Sequence, residues 1–125
     1  VFSNNSNEPK ESNKDLISLL NEEGLNIQFI KCGSDSEIMQ QREQWTDGAN
    51  AFALSPGKII GYDCNKHTIK ELKESGYQVI TSREYISNYK KYNESNEKYI
   101  ITIKGSELSR GRGGPRCLTL PLFRI

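Results

Sequence analysis

Residues 50–81, NAFALSPGKIIGYDCNKHTIKELKESGYQVIT, carry the pattern from which the fold is read. Asn50 to Leu54 and Lys58 to Tyr62 are short apolar runs separated by Ser55-Pro56-Gly57, a turn signal, and they read as a core hairpin. Asp63 to Lys66 then turns the chain into a helix, roughly His67 to Ser75, with Ile69 and Leu72 on its inward face and a stop at Gly76. A strand from Tyr77 to Thr81 follows. The order strand, strand, helix, strand implies an α/β domain built from such units rather than a simple doubly wound sheet.

On the N-terminal side, Val1-Phe2 reads as the tail of a strand and Ser3 to Ser12 as a polar loop unable to bury enough surface to order itself. Segments 1–12 and 90–98 are expected to be mobile. Leu16, Ile17, Leu19 and Leu20 share a helical face, with Ser12 or Asn13 as cap and Gly24 as stop. Asn26 to Cys32 alternates as a strand, which makes Cys32 a core residue rather than a chemical one. Ser34 or Ser36 caps a short helix that delivers Trp45 and Asp47-Gly48 to a turn. Toward the C-terminus, Ser82 caps a helical stretch through Tyr89. Lys90 to Lys98 reads as a charged loop, Lys98 to Ile103 as a strand, and a final strand is expected near Cys117.

The chemistry concentrates in Gly105 to Pro121, GSELSRGRGGPRCLTLP. Glycines let the main chain approach a ligand closely, and Arg110, Arg112 and Arg116 supply forked donors for carboxylates. A thiolate is the reactive form of cysteine and neighbouring cations favour it, so Cys117 is a candidate nucleophile. By themselves these residues read better as an arginine-glycine nucleic-acid tail or a buried structural cysteine, since short motifs often match by chance.

Composition narrows the choice. One domain fits 125 residues, and a net charge of +1 from 17 basic and 16 acidic residues gives the whole chain no pull toward nucleic acid or anionic lipid. No apolar run reaches the roughly 20 residues that cross a bilayer, so a cytoplasmic location is expected. Cys32, Cys64 and Cys117 are odd in number, widely spaced and without a C-x-x-C pair, against both a disulfide framework and a zinc site. Two N-x-S patterns, at Asn4 and Asn93, carry no weight in a chain rich in Asn and Ser. The start at Val1 rather than Met is expected of an expressed segment, a processed product or a piece of something longer.

Two segments fix a resemblance: Arg42 to Asn50, REQWTDGAN, and Ser106 to Cys117, SELSRGRGGPRC. With Ser55 to Asp63 and the later Asn65, Thr68, Leu72 and Gly76, they resemble the C-terminal part of the arginine deiminase family, from about Gly33 to Arg124. The resemblance implies a pentein fold, a five-bladed α/β propeller of strand-strand-helix-strand modules, of which about two would lie here. It implies hydrolysis of L-arginine to L-citrulline and ammonia without metal or organic cofactor. Cys117 would be the nucleophile that forms a covalent amidino intermediate, Arg112 the mobile arginine linked to carboxylate recognition, and Asn50 and Asp47 parts of the same pocket. The family's histidine, its acidic partner and two guanidinium-gripping aspartates would lie upstream. His67, the only histidine, sits at a helix start between Lys66 and Thr68 and reads as a solvated surface residue.

The chain is therefore expected to be the last third of a deiminase, inactive alone and partnered by the remainder of the deiminase chain. Segment 82–98 is longer than the family's usual connection and reads as a surface insertion without catalytic meaning. Two readings compete: a non-catalytic relic or interaction module whose open strand edges favour self-association, and a deiminase for another guanidine such as agmatine or peptidyl arginine. The SELSRGRGG segment favours free arginine, because Arg112 offers charge to an α-carboxylate.

Overall fold

The computed structural model describes residues 13–25, 27–120 and 122. The expectations for Val1 to Ser12 lie outside them. Four strands form one mixed sheet: β1 (Phe52–Ser55), β2 (Lys58–Tyr62), β3 (Tyr77–Thr81) and β4 (Lys98–Ile103), in the spatial order β1-β2-β4-β3. The hairpin pair β1/β2 is antiparallel, and β4 runs parallel to both β2 and β3. Among the described residues five helices accompany it: α1 (Leu16–Glu22), α2 (Glu37–Trp45), α3 (Lys66–Glu74), α4 (Ser82–Ser87) and α5 (Tyr89–Glu94). The run β1-β2-α3-β3 is the strand-strand-helix-strand unit read from the sequence, and β4, reached through α4 and α5, is inserted between β2 and β3.

The registers explain the layering. Ile60, Ile101 and Ile80 lie in one row across β2, β4 and β3, and Ile59, Ile100 and Val79 in the next. Successive residues of a strand face opposite sides, so these rows feed two layers. On the first side Ile80, Ile101 and Tyr99 pack with Tyr85 of α4 and Tyr92 of α5. On the second, Ile59 shares a cavity of about 170 Å³ with Ile30, Cys32 and Leu72 of α3. With cover on both faces, β4 buries Tyr99, Ile100 and Ile101 in succession.

Four sequence expectations change. Residues 27–32 form no strand. Ile27 and Phe29 remain exposed, because an extended segment that meets no partner edge has no ladder to satisfy its main chain. Cys32 is half-buried beside Gly48 and the Thr68 hydroxyl. The cap of α1 is Asp15, whose carboxylate accepts from Ser18 N at 3.0 Å and from Ser18 Oγ at 2.8 Å, bonds that hold the carboxyl below its usual range. At the other end, Thr81 rather than Ser82 caps α4, accepting from Glu84 N.

The charged stretch expected as a loop contains α5, and segment 82–98 is no mere surface insertion, since it supplies Tyr85 and Tyr92 to the core. Tyr92 meets Tyr99 edge-on at 5.0 Å and stacks on Tyr85 at 6.1 Å. Lys58, buried at the start of β2, donates to Ser95 O at 2.8 Å and fastens the end of this segment.

The Tyr92 hydroxyl donates to Glu84, which raises its pKa from 10.0 to about 12. A folded-state pKa raised above the unfolded value gives stability that is fully present below pH 10.0 and lost as pH rises through about 12. Tyr92→Phe is therefore expected to flatten the alkaline fall in stability between those pH values, as read from urea midpoints in a pH series. An unchanged slope would count against the Tyr92–Glu84 bond.

Candidate active site

The parallel strands aim their C-terminal ends at one region, and β4 delivers the chain directly into it. After Ile103 the backbone passes beneath Tyr62, the last residue of β2. A Cβ on Gly105 would lie 2.0 Å from the Tyr62 ring, so only glycine fits there. A short 3-10 turn, Leu108–Gly111, follows, locked by the buried Ser109, whose hydroxyl donates to Ser106 O at 3.0 Å. Arg112 then takes a left-handed conformation, φ 60° and ψ 80°, uncommon outside glycine and asparagine.

Tyr62 is 1% exposed, and its hydroxyl donates to Gly113 O at 2.8 Å, so the sheet itself grips the loop. Burial, then the neighbouring Asp47, Cys117 and Cys64, push the Tyr62 phenol above its ordinary range, which keeps it a neutral donor at physiological pH.

Cys117 lies on a turn rather than at the start of a strand. The N–H groups of Cys117 and Leu118 donate to Gly114 O and that of Thr119 to Arg116 O, so these donors are used locally and none is left for a ladder. The thiol is exposed, and its hydrogen-bond partner is the Asn50 amide, with Nδ2 to Sγ at 3.0 Å. The same amide accepts from Arg116 N through Oδ1 at 3.2 Å. Gly114 packs on this side chain so closely that a Cβ would fall 2.4 Å from Asn50 Cβ. Asn50 thus locks the turn that carries Cys117 to the segment before β1.

Of the three arginines expected around the thiol, Arg110 turns to Glu107 at 3.0 Å on the exposed rim, and Arg112 places its guanidinium 4.1 Å above the Trp45 ring. Asp47 has φ 58°, and its carbonyl accepts from Asn50 N at 3.0 Å. Its Oδ2 is buried without a hydrogen-bond partner among the described residues. The structure therefore brings Cys117 and Asn50 into contact, ties Asp47 to Asn50 through the main chain, and sets Arg112 on the Trp45 side of the loop.

The segment from Trp45 to Asn50 is held by a buried carboxylate that sequence reasoning missed. Glu43, 3% exposed, accepts from His67 N at 2.8 Å, Thr68 N at 2.7 Å and Thr68 Oγ1 at 2.6 Å. It thereby caps the N-terminus of α3 from α2, satisfying donors that a helix start leaves open. Thr68 Oγ1 also accepts from Gly33 N, and the buried Asn65 exchanges hydrogen bonds with Thr46. His67 is half-buried rather than solvated, and the acid the sequence did not offer it is Glu43, bound to its main chain. Trp45, Tyr62 and Glu43 are the positions bracing this region that were not singled out as site candidates. The available signal for Trp45 was a lone tryptophan at the end of a polar helix.

Among the described residues no group of three or more His, Cys, Asp or Glu could hold a metal ion, and no helix is long and apolar enough to cross a membrane. A family sequence model described as arginine deiminase matches residues 3–124.

The chain belongs to the arginine deiminase family.

Relatives carrying that name include the arginine deiminase of Mycoplasma capricolum subsp. capricolum, 43% identical over 116 residues, which are 92% of this chain and 24% of that protein. The arginine deiminase of Listeria welshimeri serovar 6b is 43% identical over 98 residues, 78% of this chain and 19% of the relative. That of Borrelia recurrentis is 42% identical over 101 residues, 81% of this chain and 20% of the relative. The chain thus spans about a quarter or less of the length of these relatives.

Proposed function

We propose that the chain is the nucleophile-bearing C-terminal portion of an arginine deiminase, a hydrolase that converts L-arginine and water to L-citrulline and ammonia in arginine breakdown. The observation that carries this reading is the contact between Asn50 Nδ2 and Cys117 Sγ at 3.0 Å, which joins two motif segments 67 residues apart at a single exposed thiol. In this reading the Cys117 thiolate adds to the guanidinium carbon and the Asn50 amide steadies the sulfur. Ammonia departs with a proton from an acid elsewhere in the protein. Water then attacks the amidino-thioether carbon and displaces the thiolate as citrulline forms.

Asp47 and Arg112 complete the site as substrate-binding groups. The partnerless Oδ2 of Asp47 supports that role, because a buried acceptor without a donor costs about 1–3 kcal/mol and favours a ligand that supplies one. Arg112 carries an exposed fork suited to an α-carboxylate. No metal or organic cofactor takes part. The remainder of the deiminase chain supplies the histidine and carboxylates, and the four-stranded sheet is part of a pentein propeller, working in the cytoplasm.

Constellations that act as a unit lose orders of magnitude when members are missing. Citrulline production from L-arginine should therefore be readily measured for a polypeptide of full family length and at least about 10³-fold lower for this chain alone. Comparable turnover by the short chain, or none by the long one, overturns the proposal.

A further inference from the structure

The Arg112–Trp45 contact carries an inference beyond the catalytic assignment. The main chain around Arg112 is fixed on both sides: its N–H donates to Ser109 O at 3.0 Å, and the next carbonyl, Gly113 O, accepts the Tyr62 hydroxyl at 2.8 Å. The left-handed φ of 60° sets the direction in which the side chain leaves the loop. Trp45 ends α2, which the Glu43 carboxylate bolts to α3, so the ring is mounted on rigid structure although it is 59% exposed. The guanidinium carbon sits 4.1 Å from the ring centroid. Among the described residues Arg112 has no ion-pair partner, whereas Arg110 in the same loop turns to Glu107.

A guanidinium resting on an aromatic face uses only its own face. The N–H donors in its plane stay free, and loss of rotamer freedom has already been met before an anion arrives. We infer that Trp45 is a positioning residue that holds the Arg112 fork edge-on to the substrate pocket, so that it selects guanidine substrates bearing an α-carboxylate over those without one. The inference rests on the proposed role of Arg112 as carboxylate ligand. It assigns Trp45 to specificity, not to the chemical step.

Steady-state kinetics on the full-length deiminase polypeptide separate the two claims. Trp45→Leu is expected to raise KM for L-arginine about three- to fivefold with kcat little changed, the size of a surface cation–π contact. Trp45→Tyr, which keeps a π-face, restores most of the loss. For agmatine, a guanidine without the carboxylate, Trp45→Leu leaves kcat/KM unchanged. Arg112→Ala raises KM for L-arginine more than Trp45→Leu does, and combining the two adds little, because both act through one fork. If Arg112→Ala raises KM for arginine while Trp45→Leu does not, the role of Trp45 falls and that of Arg112 stands. If Trp45→Leu weakens both guanidines equally, or Tyr fails to rescue, the ring is structural and the inference is overturned. If Arg112→Ala leaves KM for arginine unchanged, the carboxylate reading fails and the inference with it.

Discussion

Cys117→Ser in the full-length deiminase polypeptide is expected to lose at least about 10⁴-fold in kcat, roughly 5.4 kcal/mol of activation free energy. An alcohol at that position is far from ionised near neutral pH, and no basic side chain is hydrogen-bonded to Sγ among the described residues. The Asn50 amide offers a donor, which suits a thiolate already formed but cannot remove a proton from a hydroxyl. Folding should be spared, because the side chain is exposed and the turn is held by main-chain bonds from Cys117 N and Leu118 N to Gly114 O. Citrulline formation and calorimetric arginine binding, taken together, make the check. Retained binding with lost turnover is the expected pair, and more than a few per cent of residual kcat would remove Cys117 from the nucleophile's role.

The second large effect lies away from the thiol. Glu43→Ala should destabilise the fold by about 3–5 kcal/mol, because it strands the N–H groups of His67 and Thr68 at the start of α3 and the Thr68 hydroxyl. Glu43→Gln keeps an acceptor oxygen but brings an amide group into a place that accepts from donors, so about half of that loss is expected. Urea unfolding followed by circular dichroism measures both, and a loss below about 1 kcal/mol for alanine would show the clamp to be dispensable. Since α2 carries Trp45 and leads straight to Asp47 and Asn50, weakening the clamp should also loosen the pocket wall.

Three of the four strands were legible to the residue, because β2, β3 and β4 carry β-branched and aromatic residues between clear turn signals. Helix α5 was not. Its one buried residue, Tyr92, stands in a run of lysine, asparagine and glutamate, and its ring partner Tyr99 belongs to a later element. Residues 27–32 and 117–120 show the opposite failure: their apolar residues promise strands, yet no partner strand meets either segment among the described residues. Cys117, Asn50, Asp47 and Arg112 could be named as candidates because whole motifs surround them. Glu43 could not, since an acid on a polar helix reads as a solvated face until α3 is seen to begin against it. Tyr62 likewise read as core, and only the fold brings its hydroxyl to Gly113.

The sheet order β1-β2-β4-β3 also has a bearing on how the polypeptide is made. Of its four strands β4, one of the two inner ones, is the last to leave the ribosome. Until Lys98 to Ile103 has emerged, nothing links β2 to β3 in the sheet, and the tyrosine cluster lacks the two side chains, Tyr99 and Ile101, that complete it. The loop bearing the thiol follows that strand directly. A nascent chain can therefore seat Cys117 only once the strand that joins β2 to β3 has been inserted, so assembly of the sheet and placement of the thiol become one event.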